Sequence, residues 1–236
     1  MYLDKKIIGL IPARGGSKRL PGKNTMQFNG HPLISWSIRA GMRSKYIDDI
    51  VVSTEDEDIA IISKKYGADV PFKRPMSLAE DDSTTIDVIL HALEYFSKEL
   101  RHYDYIFLLQ PTSPLRTNTH IDESIEFFFE KGADSVIGVS EVSHPIEWAS
   151  QLSDEGTMED FYNSLNNIGN GDKTSKHFMI NGAIYFISTQ KLLETKTIIQ
   201  KHNSFGFEMD RKYSIDIDHQ LDFDYAEFIS KKILRK

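Results

Sequence analysis

Residues 7–24 read IIGLIPARGGSKRLPGKN, and the stretch changes character half-way along. Ile7, Ile8, Leu10 and Ile11 form a short apolar run without polar alternation, the pattern of a strand buried on both faces. Beyond Pro12 the residues become small and cationic: Arg14, Lys18, Arg19 and Lys23 lie among Ala13, Gly15, Gly16, Ser17 and Gly22. Glycines let backbone N–H groups come close to an anion, and the cations neutralise it. The stretch therefore predicts a buried strand opening into a polyphosphate cradle. A solvated basic loop is the plainer alternative. Against it, the chain carries a net charge of −7 and this cluster is confined to one strand exit. The order of residues matches neither the G-x-x-x-x-G-K-[ST] loop of ATPases nor the G-x-G-x-x-G of dinucleotide folds.

Working outward, strand-like and helix-like segments alternate. Pro32 suits a first helical position before Leu33, Ile34, Trp36, Ile38 and Met42. IVVS at 50–53 is a β-branched strand, and Thr54 to Glu57 cap the helix carrying Ile59, Ile62 and Tyr66, which Gly67 ends. Asp81–Thr85 caps a further helix, YIFLL at 105–109 reads as a buried strand, and Gly132 ends a helix over 121–129. Strands follow at 135–139 and 182–187, then a strand near Tyr213–Ile217 and a terminal helix. This rhythm predicts βαβ units in one α/β domain over 1–236, with a mostly parallel sheet between helix layers. Ligands bind beyond the carboxyl ends of such strands, where the basic loop and residues 110–116 both fall. Between about 140 and 180 the rhythm breaks, which marks an excursion from the sheet.

Bulk composition narrows the function. The 236 residues suffice for one domain, and the acidic balance argues against a nucleic-acid binder. With no cysteine, disulfides, zinc–thiolate sites and thiol catalysis are excluded. The apolar start is too short for a signal segment, and no stretch approaches the ~18 apolar residues of a membrane span. A cytoplasmic protein is the expectation. The histidines show no ligand spacing with one another and are read as surface or packing residues.

Other residues carry chemistry. Asp216 and Asp218 alternate in SIDID; in an extended segment both face one side and can converge on a divalent cation. Few carboxylates plus water and phosphate oxygens suit Mg²⁺, and Mn²⁺ can take the same ligands. Capping of the last helix is the plainer role for Asp218. QPTSPLR at 110–116, with two prolines, makes a rigid loop at the ligand edge. Ser83 and Thr84 are candidate helix caps.

The string A-R-G-G-S-K-x-L-P-G-K-N at 13–24 resembles the signature of the CMP-N-acylneuraminate synthetases, a family of sugar-activating cytidylyltransferases. QPTSPLR, NGAIY at 181–185 and SIDID are similar to further strings of that family, so the resemblance runs from residue 7 to about 229. It implies a Rossmann-like three-layer fold of the nucleotide-diphospho-sugar transferase type. It also implies transfer of CMP from CTP to the anomeric hydroxyl of an acidic nine-carbon sugar, releasing pyrophosphate. On this resemblance Asn24, Arg74, Ser83 and Thr85 join the cradle in holding the nucleotide. Gln110, Thr112, Ser113, Arg116 and Asn181 face the sugar acid, and Asp216 and Asp218 hold the metal. Arg14 and Lys23 are expected to stabilise the triphosphate and the departing pyrophosphate. The 140–180 excursion, with Trp148, Phe161 and Tyr162, is expected to form a homodimer contact. The likeness weakens at residues 170–176, where basic residues usual in the family are missing. Lys173, Lys176 or Arg116 are the candidates to replace them. The family's strand-end S-T-D is Ser53-Thr54-Glu55 here. A 3-deoxy-manno-octulosonate cytidylyltransferase and a non-catalytic nucleotide-binding module are the alternatives.

Overall fold

Ile7–Pro12 is a strand whose apolar side chains are buried on both faces. The computed structural model describes residues 2–166 and 176–233. In chain order the elements are β1 (Ile7–Pro12), a small hairpin of β2 (Gln27–Phe28) and β3 (His31–Pro32), α1 (Leu33–Met42), β4 (Asp49–Ser53), α2 (Glu57–Lys65) and α3 (Thr85–Lys98). They continue with β5 (Tyr105–Leu108), α4 (Asn118–Lys131), β6 (Ser135–Glu141), α5 (Glu159–Asn166), β7 (Phe178–Ser188), α6 (Thr189–Thr195), β8 (Ser204–Glu208) and α7 (Gln220–Ile233).

One sheet has the order β4-β1-β5-β7-β6-β8. All its strands run the same way except β7, which lies antiparallel between β5 and β6. Leu10 pairs with Val51 and Leu108, and Pro12 with Ser53, so β1, β4 and β5 end along one edge. Helices cover both faces. Ile7, Ile11, Phe107 and Phe186 meet Ile34 and Ile38 of α1 and Ile125 and Phe128 of α4. On the other face Ile8, Leu10, Val51 and Leu108 meet Ile89, Ala92 and Phe96 of α3 and Leu192 of α6. This is the expected mostly parallel three-layer α/β arrangement. Among the described residues no helix is long and apolar enough to cross a membrane.

Three local readings need correction. The strand expected near Tyr213–Ile217 is a 3-10 turn at Arg211–Tyr213 followed by irregular chain, and the edge strand is β8. Alternation in SIDID has another cause: Ile217 is buried with Leu20, Phe28 and Phe223, while its N–H bonds to the Thr112 carbonyl at 2.9 Å. Pro32 is the cap of α1 rather than its first residue. The excursion is shorter than 140–180, because Glu141 of β6 pairs with Phe178 of β7. Within it α5 packs on a 3-10 turn at Ile146–Trp148. Trp148, Leu152, Met158 and Tyr162 are exposed, as is Ile180 at the start of β7.

Candidate active site

A cleft of about 400 Å³ opens where β1, β4 and β5 end. Pro12 and Arg14 enter it from β1, and Lys23 and Asn24 from the turn that closes the basic loop. Arg74, Ser83 and Thr85 come from the chain leading into α3, and Gln110 and Thr112 from the loop after β5. Asp216 and Asp218 form the wall on the α7 side.

The loop's cations are already paired with carboxylates. Arg14 Nη1 donates to Asp81 Oδ1 at 3.0 Å and to the Ala79 and Glu80 carbonyls at 3.4 Å. Lys18 joins the same carboxylate, and together with Arg14 it holds Asp81 below the usual carboxylate range. Arg19 pairs with Asp218 at 2.7 Å. Lys23 Nζ donates to the Ile217 carbonyl at 2.9 Å and to Asp218 Oδ1 at 3.3 Å. The loop is thus folded back onto the SIDID segment, 195 residues further along the chain.

Beneath it lies a buried ion pair. Arg74 Nε and Nη2 donate to Glu55 Oε2 at 3.1 and 2.8 Å, and the other oxygen, Oε1, accepts the Gly15 N–H at 2.7 Å. Burial pushes the Arg74 guanidinium down and the Glu55 charge opposes this. Gly15 is required here, because a β-carbon would overlap the Asp56 carboxylate.

Two polar atoms on the cleft wall have no protein partner. Asn24 donates from Nδ2 to the Arg14 carbonyl at 2.9 Å, which leaves its buried Oδ1 unpaired. Ser83 Oγ is likewise buried and unpaired, because Thr84 caps α3 through a capping box with Asp87. Buried polar atoms ordinarily find partners, and both residues line the cleft. Asp216 opens onto the cleft yet has protein on most sides. That burial raises its carboxyl, Asp218 raises it further, and a hydrogen bond from Thr112 partly offsets both. A divalent cation would relieve this charge crowding. Among the described residues no three metal-ligating side chains converge, so its other ligands would come from water and phosphate.

Several expected contacts lie behind the cleft instead. Arg116, 3% exposed, donates from Nη1 to the Ala183 carbonyl at 3.0 Å and from Nη2 to Ser37 Oγ at 2.7 Å. Burial lowers its pKa to about 9, so it stays a cation at neutral pH, but it ties the 110–116 loop to β7 and α1. It is therefore a brace for Gln110 and does not stand in for a sugar-binding cation. Asn181 donates to Ser214 Oγ and accepts the Ala183 N–H, both at 3.0 Å. Ser113 and Ala13 are buried away from the cleft as well. Gly16 lies in a neighbouring groove with Lys18 and Asp81, and Ser17 turns back to the Gly15 carbonyl. Lys176 pairs with Glu141, while Lys173 is outside the described residues. In sequence Glu55 reads as part of the α2 cap and as a departure from S-T-D. Its signal was an acid too many, since Asp56 alone caps α2. Leu78 and Val88, which supply apolar wall, carried no signal beyond ordinary hydrophobicity.

The family model for cytidylyltransferases matches residues 8–235. The chain belongs to the cytidylyltransferase family. It is 33% identical over 226 residues to the pseudaminic acid cytidylyltransferase of Campylobacter jejuni, covering 96% of this chain and 97% of that one. The CMP-N,N'-diacetyllegionaminic acid synthase of Legionella pneumophila is 34% identical over 224 residues, covering 94% and 95%. Among solved structures, a CMP:2-keto-3-deoxy-manno-octonic acid synthetase complexed with CTP superposes with a TM-score of 0.72 over 97% of this chain and 99% of that one. At 14% identity that likeness shows the fold alone. This cytidylyltransferase is a nucleotidyltransferase whose motifs at 13–24, 110–116 and 216–218 converge on one sheet edge.

Proposed function

We propose that this cytidylyltransferase transfers CMP from CTP to the anomeric hydroxyl of a nine-carbon α-keto sugar acid, of the N-acylneuraminate, legionaminate or pseudaminate type. The observation that carries the reading is the meeting of Arg14 and Lys23 with Asp216 and Asp218 in one cleft. The names of its relatives supply the sugar class.

Arg74, Asn24 Oδ1, Ser83 Oγ and Thr85 would hold the nucleoside end, and Arg14 and Lys23 the triphosphate. Phosphates entering the cleft exchange with Asp81 on Arg14 and with Asp218 on Lys23, so the cations arrive already oriented. They then stabilise the charge that builds on the leaving pyrophosphate as the sugar oxygen attacks the α-phosphorus. Mg²⁺ or Mn²⁺ held by Asp216 and Asp218 would supply phosphate orientation and charge neutralisation. Gln110 and Thr112, braced by Arg116 and the 110–116 loop, would face the sugar. A CTP-consuming reaction fits the cytoplasmic setting expected from the sequence. Exposed Trp148, Leu152, Met158 and Tyr162 support a homodimer that buries these side chains.

Pyrophosphate release with CTP and Mg²⁺ against N-acetylneuraminate, legionaminate, pseudaminate and 3-deoxy-manno-octulosonate tests the reading. Turnover on one nine-carbon acid is expected. Turnover confined to the eight-carbon acid, or none with CTP still bound, overturns the acceptor assignment.

A further inference from the structure

We propose that Glu55 is a positioning residue that sets the orientation of the peptide unit aiming Arg14 at the nucleotide phosphates, and links it to Arg74. The two hydrogen bonds concerned fall on one peptide unit. Its carbonyl, that of Arg14, accepts from Asn24 Nδ2 at 2.9 Å, and its N–H, that of Gly15, donates to Glu55 Oε1 at 2.7 Å. A planar peptide gripped at both edges cannot rotate about its flanking bonds without breaking one of them.

Glu55 is itself immobilised. Its side chain is 7% exposed, and Oε2 takes both Arg74 donors. Neutralising Arg74 alone would be served by both carboxylate oxygens forked onto the guanidinium. Here one oxygen is directed to the backbone of the cradle instead. The backbones lie close as well, the Arg74 N–H donating to the Thr54 carbonyl at 2.9 Å. Arg74, Arg14 and Asn24 all line the cleft, so a buried path through Glu55 joins its nucleoside and phosphate ends. Glu55 never reaches the cleft itself and acts only through its partners.

This inference rests on the reading of Arg14 as a phosphate ligand and not on which acid is the acceptor. Glu55→Gln is the direct test, because both partners are donors and an amide offers a single acceptor oxygen. Titration calorimetry of CTP against the parent, Glu55→Gln, Arg14→Ala and the double variant forms a cycle. The expected result is a loss of CTP affinity on the order of tenfold for Glu55→Gln alone. In the Arg14→Ala background the same change should cost clearly less, the remainder being the share that acts through Arg74. A merely structural Glu55 would give losses that multiply, and that outcome, or unchanged affinity, overturns the proposal. Should the amide variant fail to fold, Glu55→Asp keeps the charge one methylene short of Gly15 and must show the same non-additivity. Silence on every acid with a non-additive cycle would sink the acceptor assignment and leave the role of Glu55 standing.

Discussion

Nδ1 of His120 accepts the Thr117 N–H at 3.2 Å and closes the capping box at the start of α4. Burial, reinforced by Arg116, lowers its pKa from 6.5 to about 4. Between those values the unfolded chain binds more protons than the folded one, so stability rises with pH across that window. The contribution is complete above about 6.5 and lost as pH falls through about 4, with an upper size of about 3 kcal/mol. His120→Gln retains a capping box and removes the titration. Melting temperatures between pH 4 and 7.5 should therefore fall less steeply on the acid side in the variant than in the parent. Parallel slopes would remove His120 from the acid response. At this scale the cleft lining was legible where residue type and strand-exit position agree, as for Arg14 and Gln110. It was illegible where a polar side chain turns inward: no sequence signal says that Arg116 satisfies carbonyls rather than ligand, or that Glu55 grips the Gly15 N–H.

Among the elements, β1 and β5 were plain because strands buried on both faces need uninterrupted apolar residues. SIDID misled because alternation at period two describes any extended chain with one wet face, whether or not it joins a sheet. What makes β8 a strand is pairing with β6, which is set by tertiary contact. The most exacting element is the bend in β7 at Gly182, where φ is +73°. A β-carbon there would stand 3.1 Å from Gln110 Oε1 and 3.3 Å from Asp216 Oδ2. Gly182→Ala should cost about 1–2 kcal/mol of stability through the left-handed backbone. It should also lower kcat/KM by roughly tenfold if both side chains are displaced by a few tenths of an ångström. Melting curves and steady-state kinetics separate the two effects; a lower melting temperature with unchanged kinetics would confine Gly182 to a backbone role.

Over the whole molecule, the excursion was recognisable because polar, glycine-rich sequence interrupts the strand–helix rhythm. Its limits were not, since the paired ends at Glu141 and Phe178 read as more of the same irregular chain. Burial of its exposed apolar residues by a second copy predicts a two-chain mass by light scattering at micromolar concentration. Trp148→Glu with Tyr162→Glu should shift that mass to a single chain, and a monomeric parent would refute the dimer.

The reversed course of β7 has a mechanical consequence. Because it runs against its neighbours, its first half projects past the end of β5 at the ligand edge. A parallel strand in that place would begin at the opposite edge. Solvent-facing Ile180 is thus two residues from Gly182, whose α-carbon lies against Gln110 and Asp216, roughly 7 Å along the strand. A contact made on the surface at Ile180 is therefore expected to be felt at Gln110 and Asp216 through Gly182. Kinetics of dilute protein are therefore a strain gauge for whatever grips the excursion.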